Sequence, residues 1–176
     1  MATIYTIGHS TRELPELISA LQAHGIKTLV DIRAFPMSRR LPHFNRESLK
    51  TSLPESGIAY IWLPALGGRR KRLTKDSSNT GLRNHSFRNY ADYMLTQEFH
   101  NGIDELLRLA KSGPSAIMCA ERVYFRCHRM LVSDYLQAHG HEILHIDNEK
   151  PARPHKLTPE AQLVKGKLVY GEAKLF

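Results

Sequence analysis

Short apolar runs alternate along the chain with stretches in which apolar residues recur every three or four positions. The first run, residues 3–7, predicts a buried strand, and the apolar spacing over residues 14–21 predicts a helix that ends before Gly25. The same alternation continues to residue 146. It predicts further strands at about 26–32, 58–63, 115–118 and 142–146, and further helices at about 45–56, 87–94, 97–110 and 127–138.

Strands and helices in alternation predict an α/β fold with a mostly parallel central sheet and helices on both faces. Short right-handed crossovers produce this arrangement, because they return successive strands in the same direction. The 176 residues are enough for one core and no linker divides them, so we expect a single domain over residues 1–176. Within it we expect a polar basic loop at about 69–84, and an extended polar tail from about 147 with a helical turn near Thr158.

The chain carries a strong excess of positive charge. Lys and Arg together number 25 against 17 Asp and Glu, which gives a net charge of +8 and an isoelectric point near 9.7. This excess favours a polyanionic partner such as nucleic acid or a nucleotide, although it also serves solubility alone. The first residues lack the pattern of a signal peptide and no run is long enough to cross a membrane, so we expect a cytoplasmic protein without membrane attachment.

Polar side chains collect at the predicted strand ends. In an open parallel sheet, the loops that follow the carboxyl ends of the strands meet at one edge and form the ligand crevice. We therefore expect the functional site at that edge. It would be built from Gly8-His9-Ser10, Asp31-Ile32-Arg33, Gly67-Gly68-Arg69 and Cys119-Ala120-Glu121, together with Cys127-His128-Arg129 at the start of the next helix.

Two roles can be assigned to these side chains. Imidazole, carboxyl and thiol groups transfer protons or act as nucleophiles, and the candidates for catalysis are His9, Cys119, Glu121 and Cys127. The candidates for binding an anionic substrate are Ser10, Asp31, Arg33, Gly67, Gly68, Arg69, His128 and Arg129. Structural roles stay open for some of them, since Asp31 can pair with Arg33 or cap a helix and the glycines can serve backbone geometry.

Cys127 is the strongest candidate nucleophile. At the amino-terminal end of a helix, free amides, the helix dipole and the neighbouring His128 and Arg129 favour a thiolate. Both cysteines can instead be small buried apolar residues, as free cysteines commonly are, since two cysteines do not make a disulfide framework. A Cys, Cys, His zinc site is a third alternative, but the spacing matches no usual ligand pattern and offers no fourth ligand.

Taken in order, these motifs resemble those of the family called domain of unknown function 488. The shared stretches are Thr6-Ile7-Gly8-His9-Ser10, Asp31-Ile32-Arg33 with Pro36 and Ser38, Leu66-Gly67-Gly68, Tyr90-Ala91-Asp92-Tyr93-Met94, Cys119-Ala120-Glu121, Cys127-His128-Arg129, His145-Ile146 and His155-Lys156-Leu157-Thr158. The resemblance covers nearly the whole chain and implies the extent of the domain and the position of its site, but no activity. Tyr124 stands where many similar sequences have proline, which leaves the conformation of that loop open.

The leading hypothesis is a small enzyme that acts on a phosphate-bearing substrate, either nucleic acid or a nucleotide. Arginines would hold phosphate at the helix amino terminus, His9 or Glu121 would transfer protons, and Cys127 would be the nucleophile or an anion contact. The tight anion-binding loop that follows the cysteine of phosphatase-like and rhodanese-like sites is missing after Cys119. A Walker-type glycine-rich loop is also missing, which argues against ATP hydrolysis, and the sequence specifies no cofactor.

The alternative hypothesis is a non-catalytic nucleic-acid-binding module. In that case the basic loop, residues 69–88, would follow the nucleic-acid backbone. Tyr60, Trp62 or Tyr124 would stack on bases, although the position of Trp62 is more typical of a core residue. Positive charge fits both hypotheses, so the position and reactivity of the cysteines must distinguish them.

Overall fold

The computed structural model describes residues 1–171, which form eight strands and five α-helices. The strands are β1 (Thr3–Gly8), β2 (Thr28–Asp31), β3 (Ala59–Trp62), β4 (Ser115–Cys119), β5 (Glu142–His145), β6 (Arg153–Pro154), β7 (Ala161–Val164) and β8 (Lys167–Tyr170). The helices are α1 (Leu14–Ala23), α2 (Arg46–Glu55), α3 (His85–Tyr93), α4 (Gln97–Lys111) and α5 (Arg129–Ala138). Short 3-10 helices lie at Pro42–Phe44, Pro64–Leu66 and Tyr124–Arg126.

The main sheet has six strands in the order β3-β2-β4-β1-β5-β6, and the five long strands are parallel. β6 is an antiparallel edge strand. The predicted α/β class, with a mostly parallel sheet and helices on both faces, is therefore confirmed. Continuous apolar runs predicted these strands well because both faces of such a sheet are covered, and β4 is accordingly buried along its whole length.

Two apolar cores lie on opposite faces of the sheet. On one face, α1 and α2 pack through residues such as Leu17 and Leu53 against Leu29 and Met118. On the other face, α3, α4 and α5 pack against the opposite side of the same strands. Helices that follow β1 and β2 thus cover one face, while α5, which follows β4 between them, covers the other. Such a change of side opens a crevice at the carboxyl ends of β1, β2 and β4, which is where ligands bind in sheets of this kind.

Two predicted elements differ in the structure. Helix α5 begins at Arg129, not at Cys127, because Cys127 has an extended backbone (φ −140°, ψ 172°) and ends the preceding 3-10 helix. Near Thr158, where a helical turn is predicted, the chain makes a single hydrogen-bonded turn (Ala161 N–H to the Thr158 carbonyl, 2.9 Å), and the strands β7 and β8 follow it as an antiparallel hairpin that was not predicted. Lys165 and Gly166, with φ of 51° and 77°, make its two-residue turn, and positive φ at both positions is what such hairpin turns require.

Residues 69–84, where a polar basic loop is predicted, contain no helix or strand and are exposed over most of their length. Asn79 is one of the residues that tie this loop to the rest of the fold. The buried Asn79 side chain donates to Asp92 Oδ1 (2.7 Å) and accepts from the backbone N–H of Tyr170 (2.9 Å). Among residues 1–171, the helices are too short or too polar for any of them to cross a membrane.

Candidate functional site

Two adjoining cavities open at the carboxyl ends of β1, β2 and β4. They share a wall formed by Arg33, Phe35, Ala120, Glu121 and Arg126. The first, of about 430 Å³, contains both cysteines and is called here the thiol compartment; its other lining residues include Gly68, Arg69, Phe87 and His128. The second, of about 540 Å³, is called the Ser10 compartment and is also lined by His9, Ser10, Thr11, Met37, Ser38 and Leu41. Both volumes lie within the range of small-molecule sites.

The two cysteines face each other at the floor of the thiol compartment. Cys119 ends β4, Cys127 precedes α5, and their Sγ atoms lie 2.8 Å apart as a hydrogen-bonded pair of free thiols. The backbone N–H of Arg129, in the first turn of α5, donates to Cys127 Sγ at 3.4 Å. Although α5 begins two residues later than predicted, the thiol of Cys127 still lies at the helix amino terminus, where amides and dipole favour an anion.

A buried cation lies beneath the thiol pair. The Arg129 side chain is 1% exposed, and its Nε donates to Cys119 Sγ at 3.1 Å. Its other donors bond to Thr6 Oγ1 and to the backbone oxygens of Glu121 and Arg122. Within residues 1–171 no carboxylate forms a salt bridge with it. Because a buried charge needs compensation, this guanidinium favours a negative charge on the thiol pair.

The two thiols have opposite pKa shifts. Burial raises the pKa of Cys127, but its hydrogen bond with Cys119 and the charge of Arg129 outweigh that effect and lower the pKa to about 7. Burial and the same hydrogen bond raise the pKa of Cys119 well above its ordinary value. The pair therefore titrates as a unit that loses one proton near neutral pH, with the thiolate favoured on Cys127 and the thiol on Cys119.

A chain of buried hydrogen bonds leads from Arg129 to a buried carboxylate. Arg129 Nη1 bonds to Thr6 Oγ1, which lies 2.6 Å from His145 Nδ1. His145 Nε2 lies 2.8 Å from His155 Nδ1, and His155 Nε2 lies 2.7 Å from Asp134 Oδ1. Since Arg129 can only donate and a carboxylate can only accept, every hydrogen bond in the chain points toward Asp134 when both histidines are neutral. The chain thus links a buried cation to a buried anion without direct contact.

His145 supports this assignment. Burial and the nearby positive charges lower the pKa of His145 to about 3, so that the ring is neutral at physiological pH. The ring of Tyr124 stacks on it, with centroids 3.7 Å apart and an interplanar angle of 4°. Tyr124, the residue that stands in place of proline, therefore covers the hydrogen-bond chain.

Asp31, Arg33 and His9 form a structural cluster at the wall between the compartments. Asp31 is fully buried and accepts from Arg33 Nε (2.9 Å) and Nη2 (2.6 Å) and from the Tyr60 hydroxyl. Two further Arg33 donors reach Phe44 O (2.7 Å) and His9 Nε2 (3.3 Å). His9 Nδ1 in turn bonds to the Ser10 carbonyl at 2.8 Å, and burial lowers the pKa of His9 to about 4. Four of the five Arg33 N–H groups thus bond within this cluster, and the guanidinium also lines both compartments.

His128 and Gly68 pack tightly beside the thiols. His128 Nε2 lies 2.9 Å from the Ile32 carbonyl, to which it donates, and burial lowers the pKa of His128 to about 4. A Cβ atom on Gly68 would overlap the His128 ring, and one on Gly8 would overlap the Glu121 carbonyl. Glycine is therefore needed at both positions for close approach, which agrees with the backbone role that the sequence left open for Gly68.

Three of the predicted residues present polar groups to the cavities. Glu121 and Arg69 are exposed at the rim, and Ser10 lines the Ser10 compartment in a left-handed backbone conformation (φ 51°). A non-glycine residue with positive φ is uncommon outside turns and functional sites. Gly67 is buried behind the thiol compartment and does not line either cavity.

The structure brings most of the predicted residues to one edge, but it divides their roles. Cys119, Cys127, Glu121, Gly68, Arg69 and His128 line the thiol compartment, and His9 and Ser10 line the other. Arg129 lies below the floor, where it contacts the thiol pair and cannot reach a substrate phosphate. No three His, Cys, Asp or Glu side chains within residues 1–171 are grouped so as to hold a metal ion.

Sequence reasoning missed several residues. Phe35 and Arg126 form part of both cavities, although a lone aromatic or basic residue in a loop gives no distinctive signal. Thr6 and Asp134 were also missed because they lie inside a strand and a helix, away from the strand ends. The three residues proposed to stack on bases each have a partner within the protein. The Tyr60 hydroxyl donates to Asp31, and Tyr124 stacks on His145. The indole N–H of Trp62 donates to the Arg33 carbonyl, and the Arg46 guanidinium lies over its ring.

The chain was compared with known proteins. The family model described as domain of unknown function DUF488 matches residues 13–136, which include the thiol pair, Arg129 and Asp134. The chain belongs to the DUF488 family. Neither the curated proteins nor the solved structures give a significant match to this DUF488 protein. Membership confirms the resemblance seen in the motifs and assigns no reaction to the thiol compartment.

Proposed function

We propose that this DUF488 protein is a small enzyme in which the Cys127 thiolate attacks a phosphate-bearing substrate, either nucleic acid or a nucleotide. The observation that carries the proposal is the thiol pair above the buried guanidinium of Arg129, on the floor of a cavity of about 430 Å³. Structural cysteines are commonly inert and buried in apolar surroundings. A thiol with a pKa lowered to about 7 beside a cavity is instead typical of a nucleophile.

The proposed chemistry uses three side chains. The Cys127 thiolate supplies the electron pair for a bond to an electrophilic atom of the substrate, and the leaving group departs with the electrons of the broken bond. Glu121, at the rim of both compartments, protonates the leaving group and then deprotonates a water molecule. That water breaks the bond to sulfur, releases the product and restores the thiolate, with Cys119 as its hydrogen-bond donor.

Two features support a phosphate-bearing substrate. Arg69 and Arg126 line the thiol compartment and are exposed, so their donors face solvent, unlike those of the buried Arg129. The chain as a whole carries a net charge of +8, which raises the local concentration of anions. Anion binding is thus assigned to Arg69, as expected from the sequence, and to Arg126, while the buried Arg129 acts on the thiol pair. Free thiols persist in a reducing compartment, so we place the protein in the cytoplasm.

The rate of Cys127 alkylation as a function of pH tests the proposal. We expect an apparent pKa of about 7 in the intact protein, against about 8.5 for an ordinary cysteine. The Cys127→Ser variant should lose the fast phase of alkylation at neutral pH. The Cys119→Ser variant should keep it, with a pKa closer to 7 than to 8.5 because Arg129 and the helix amides remain. Mass spectrometry of the alkylated peptide identifies which cysteine reacts.

An apparent pKa at or above 8.5 for Cys127 would contradict the nucleophile role. The same result would favour the non-catalytic nucleic-acid-binding module, in which the basic rim binds and the thiols are structural. Equal rates of Cys127 alkylation in the folded and the urea-unfolded protein at pH 7 would lead to the same conclusion, since the Cys127 thiol would then be as unreactive in the native state as in the unfolded chain.

A further inference from the structure

Phe35 occupies an unusual position for an aromatic side chain. It lies in the loop after β2, it is 68% exposed, and it forms part of the wall between the thiol compartment and the Ser10 compartment. The guanidinium of Arg69 lies 5.5 Å from the centre of its ring. Met37, which lines the Ser10 compartment, is 77% exposed. Large apolar groups exposed together at the mouth of a cavity mark a surface that another molecule covers.

Positive charge surrounds this apolar surface. Arg126 lines both compartments, and Glu121 is the one carboxyl group among the residues that line them. Arg39 and Arg40 are exposed in the same loop as Met37, and the basic loop begins at Arg69, which lines the thiol compartment. A free nucleotide needs cations only around its own phosphates. Exposed cations on two segments that both contribute residues to the cavities, the Met37 loop and the basic loop, fit a polymer of phosphates.

We propose that the partner is a single-stranded nucleic acid that crosses the two compartments. One base stacks on Phe35, the phosphates on either side of it contact Arg69 and Arg126, and the neighbouring base enters the thiol compartment above Cys127. The inference deepens the proposed function, because it rests on the thiol compartment as the reaction site and names the class of substrate that reaches it. Aromatic stacking tolerates every base, so this surface selects single strands without selecting their sequence.

The geometry favours a single strand over a duplex. Bases within a duplex stack on one another, and an aromatic side chain reaches a base face only where the strand is open or a nucleotide is turned out of the helix. The face of the exposed Phe35 ring that the Arg69 guanidinium does not cover offers such a contact without penetration of a groove. A single strand also supplies unpaired bases to a cavity of about 430 Å³ at no cost of unpairing.

Binding of a fluorescently labelled single-stranded oligonucleotide, measured by anisotropy, tests the inference. The Cys127→Ser protein is used, so that no reaction can consume the probe. Phe35→Ala should weaken binding about tenfold or more, as expected for a stacked base. The matched control is Leu163→Ala, which removes an exposed apolar side chain (49%) from the β7–β8 hairpin and should leave the affinity unchanged.

Salt dependence gives an independent measurement. The slope of log affinity against log salt should decrease by about 0.7 when Arg69→Gln or Arg126→Gln removes one phosphate contact with a single strand. Lys167→Gln, at an exposed position in β8, is the control and should leave the slope unchanged. A duplex and a nucleoside monophosphate should both bind at least tenfold more weakly than the single strand.

Two results would overturn the inference: equal binding of the duplex or of the monophosphate, or an equal effect of Phe35→Ala and Leu163→Ala. Failure of this inference is distinguishable from failure of the proposed function, because alkylation of Cys127 needs no nucleic acid. A lowered Cys127 pKa with tighter binding of the monophosphate would leave a nucleotide enzyme. An ordinary Cys127 pKa with strong single-strand binding would leave a binding module.

Discussion

Replacing Arg129 with methionine is expected to raise the apparent pKa of Cys127 from about 7 to 8.5 or above. The buried guanidinium donates to Cys119 Sγ and is the cation nearest to the thiol pair. Without its charge, burial becomes the dominant influence, and burial disfavours the thiolate. The pH dependence of alkylation measures the change, and at pH 7 the thiolate fraction should fall more than tenfold.

The same variant should be less stable. Arg129 supplies hydrogen bonds to Thr6 Oγ1 and to two backbone oxygens, which methionine cannot replace. We expect the free energy of unfolding to fall by roughly 2–5 kcal/mol, because buried acceptors are left without donors. Urea unfolding at pH 7 measures this quantity, and it also verifies that the variant is folded under the conditions of the alkylation experiment.

Arg12→Met is the matched control. Arg12, in the loop between β1 and α1, is also a buried arginine (6% exposed), but it donates to the Gly8 carbonyl at 3.0 Å and pairs with Asp147, not with the thiols. Its loss should lower stability and leave the Cys127 pKa near 7. If folded Arg129→Met protein retained a Cys127 pKa of about 7, the guanidinium would be a structural group and the thiolate would depend on the helix amides alone.

The fold could be predicted from the sequence because its elements leave local signals. Each parallel strand is an apolar run bounded by glycine, proline or polar residues, and each long helix has one apolar face. The hairpin of the tail left a weaker signal, because Lys165-Gly166 is not one of the usual two-residue hairpin turns, and the sequence Thr-Pro-Glu at residues 158–160 is typical of a helix start. The order of the strands in the sheet could not be predicted, because it depends on which apolar segments pair with each other over long distances along the chain.

The site could be predicted only as far as strand ends locate it. The rule that ligands bind at the carboxyl ends of parallel strands correctly grouped Cys119, Glu121 and Cys127, because all three lie near the carboxyl end of β4. The rule could not predict that Arg33 and Arg129 direct most of their N–H groups into the protein, because a long side chain can point outward or inward from the same backbone position. The directions of these two side chains depend on hydrogen-bond acceptors from distant segments of the chain, such as the Phe44 carbonyl for Arg33.

Three histidines held neutral in the interior should make the protein sensitive to acid. Burial lowers the pKa of His9 and His128 to about 4 and that of His145 to about 3. In the unfolded chain each titrates near 6.5. Between these values the unfolded state binds more protons than the native state, so the free energy of unfolding falls as pH decreases from 6.5 and is fully retained above it.

The expected loss is large. Each neutral histidine contributes a slope of about 1.4 kcal/mol per pH unit near pH 5, and together the three should remove roughly 5 kcal/mol between pH 6.5 and pH 5. That amount is comparable with the whole stability of many domains. Urea unfolding at several pH values between 5 and 7.5 gives the slope directly, and below about pH 5 we expect the native state to be lost.

A single substitution separates the histidine effect from ordinary acid unfolding. His145→Gln should reduce the slope near pH 5 by about one third, because one of the three protons is no longer taken up on unfolding. The slope reports proton uptake whatever the variant does to stability at pH 7, where loss of the bonds to Thr6 and His155 will lower it. His85→Gln, at an exposed position, should leave the slope unchanged. An unchanged slope in His145→Gln would mean that His145 already carries a proton in the native state, and the hydrogen bonds could not then all point toward Asp134.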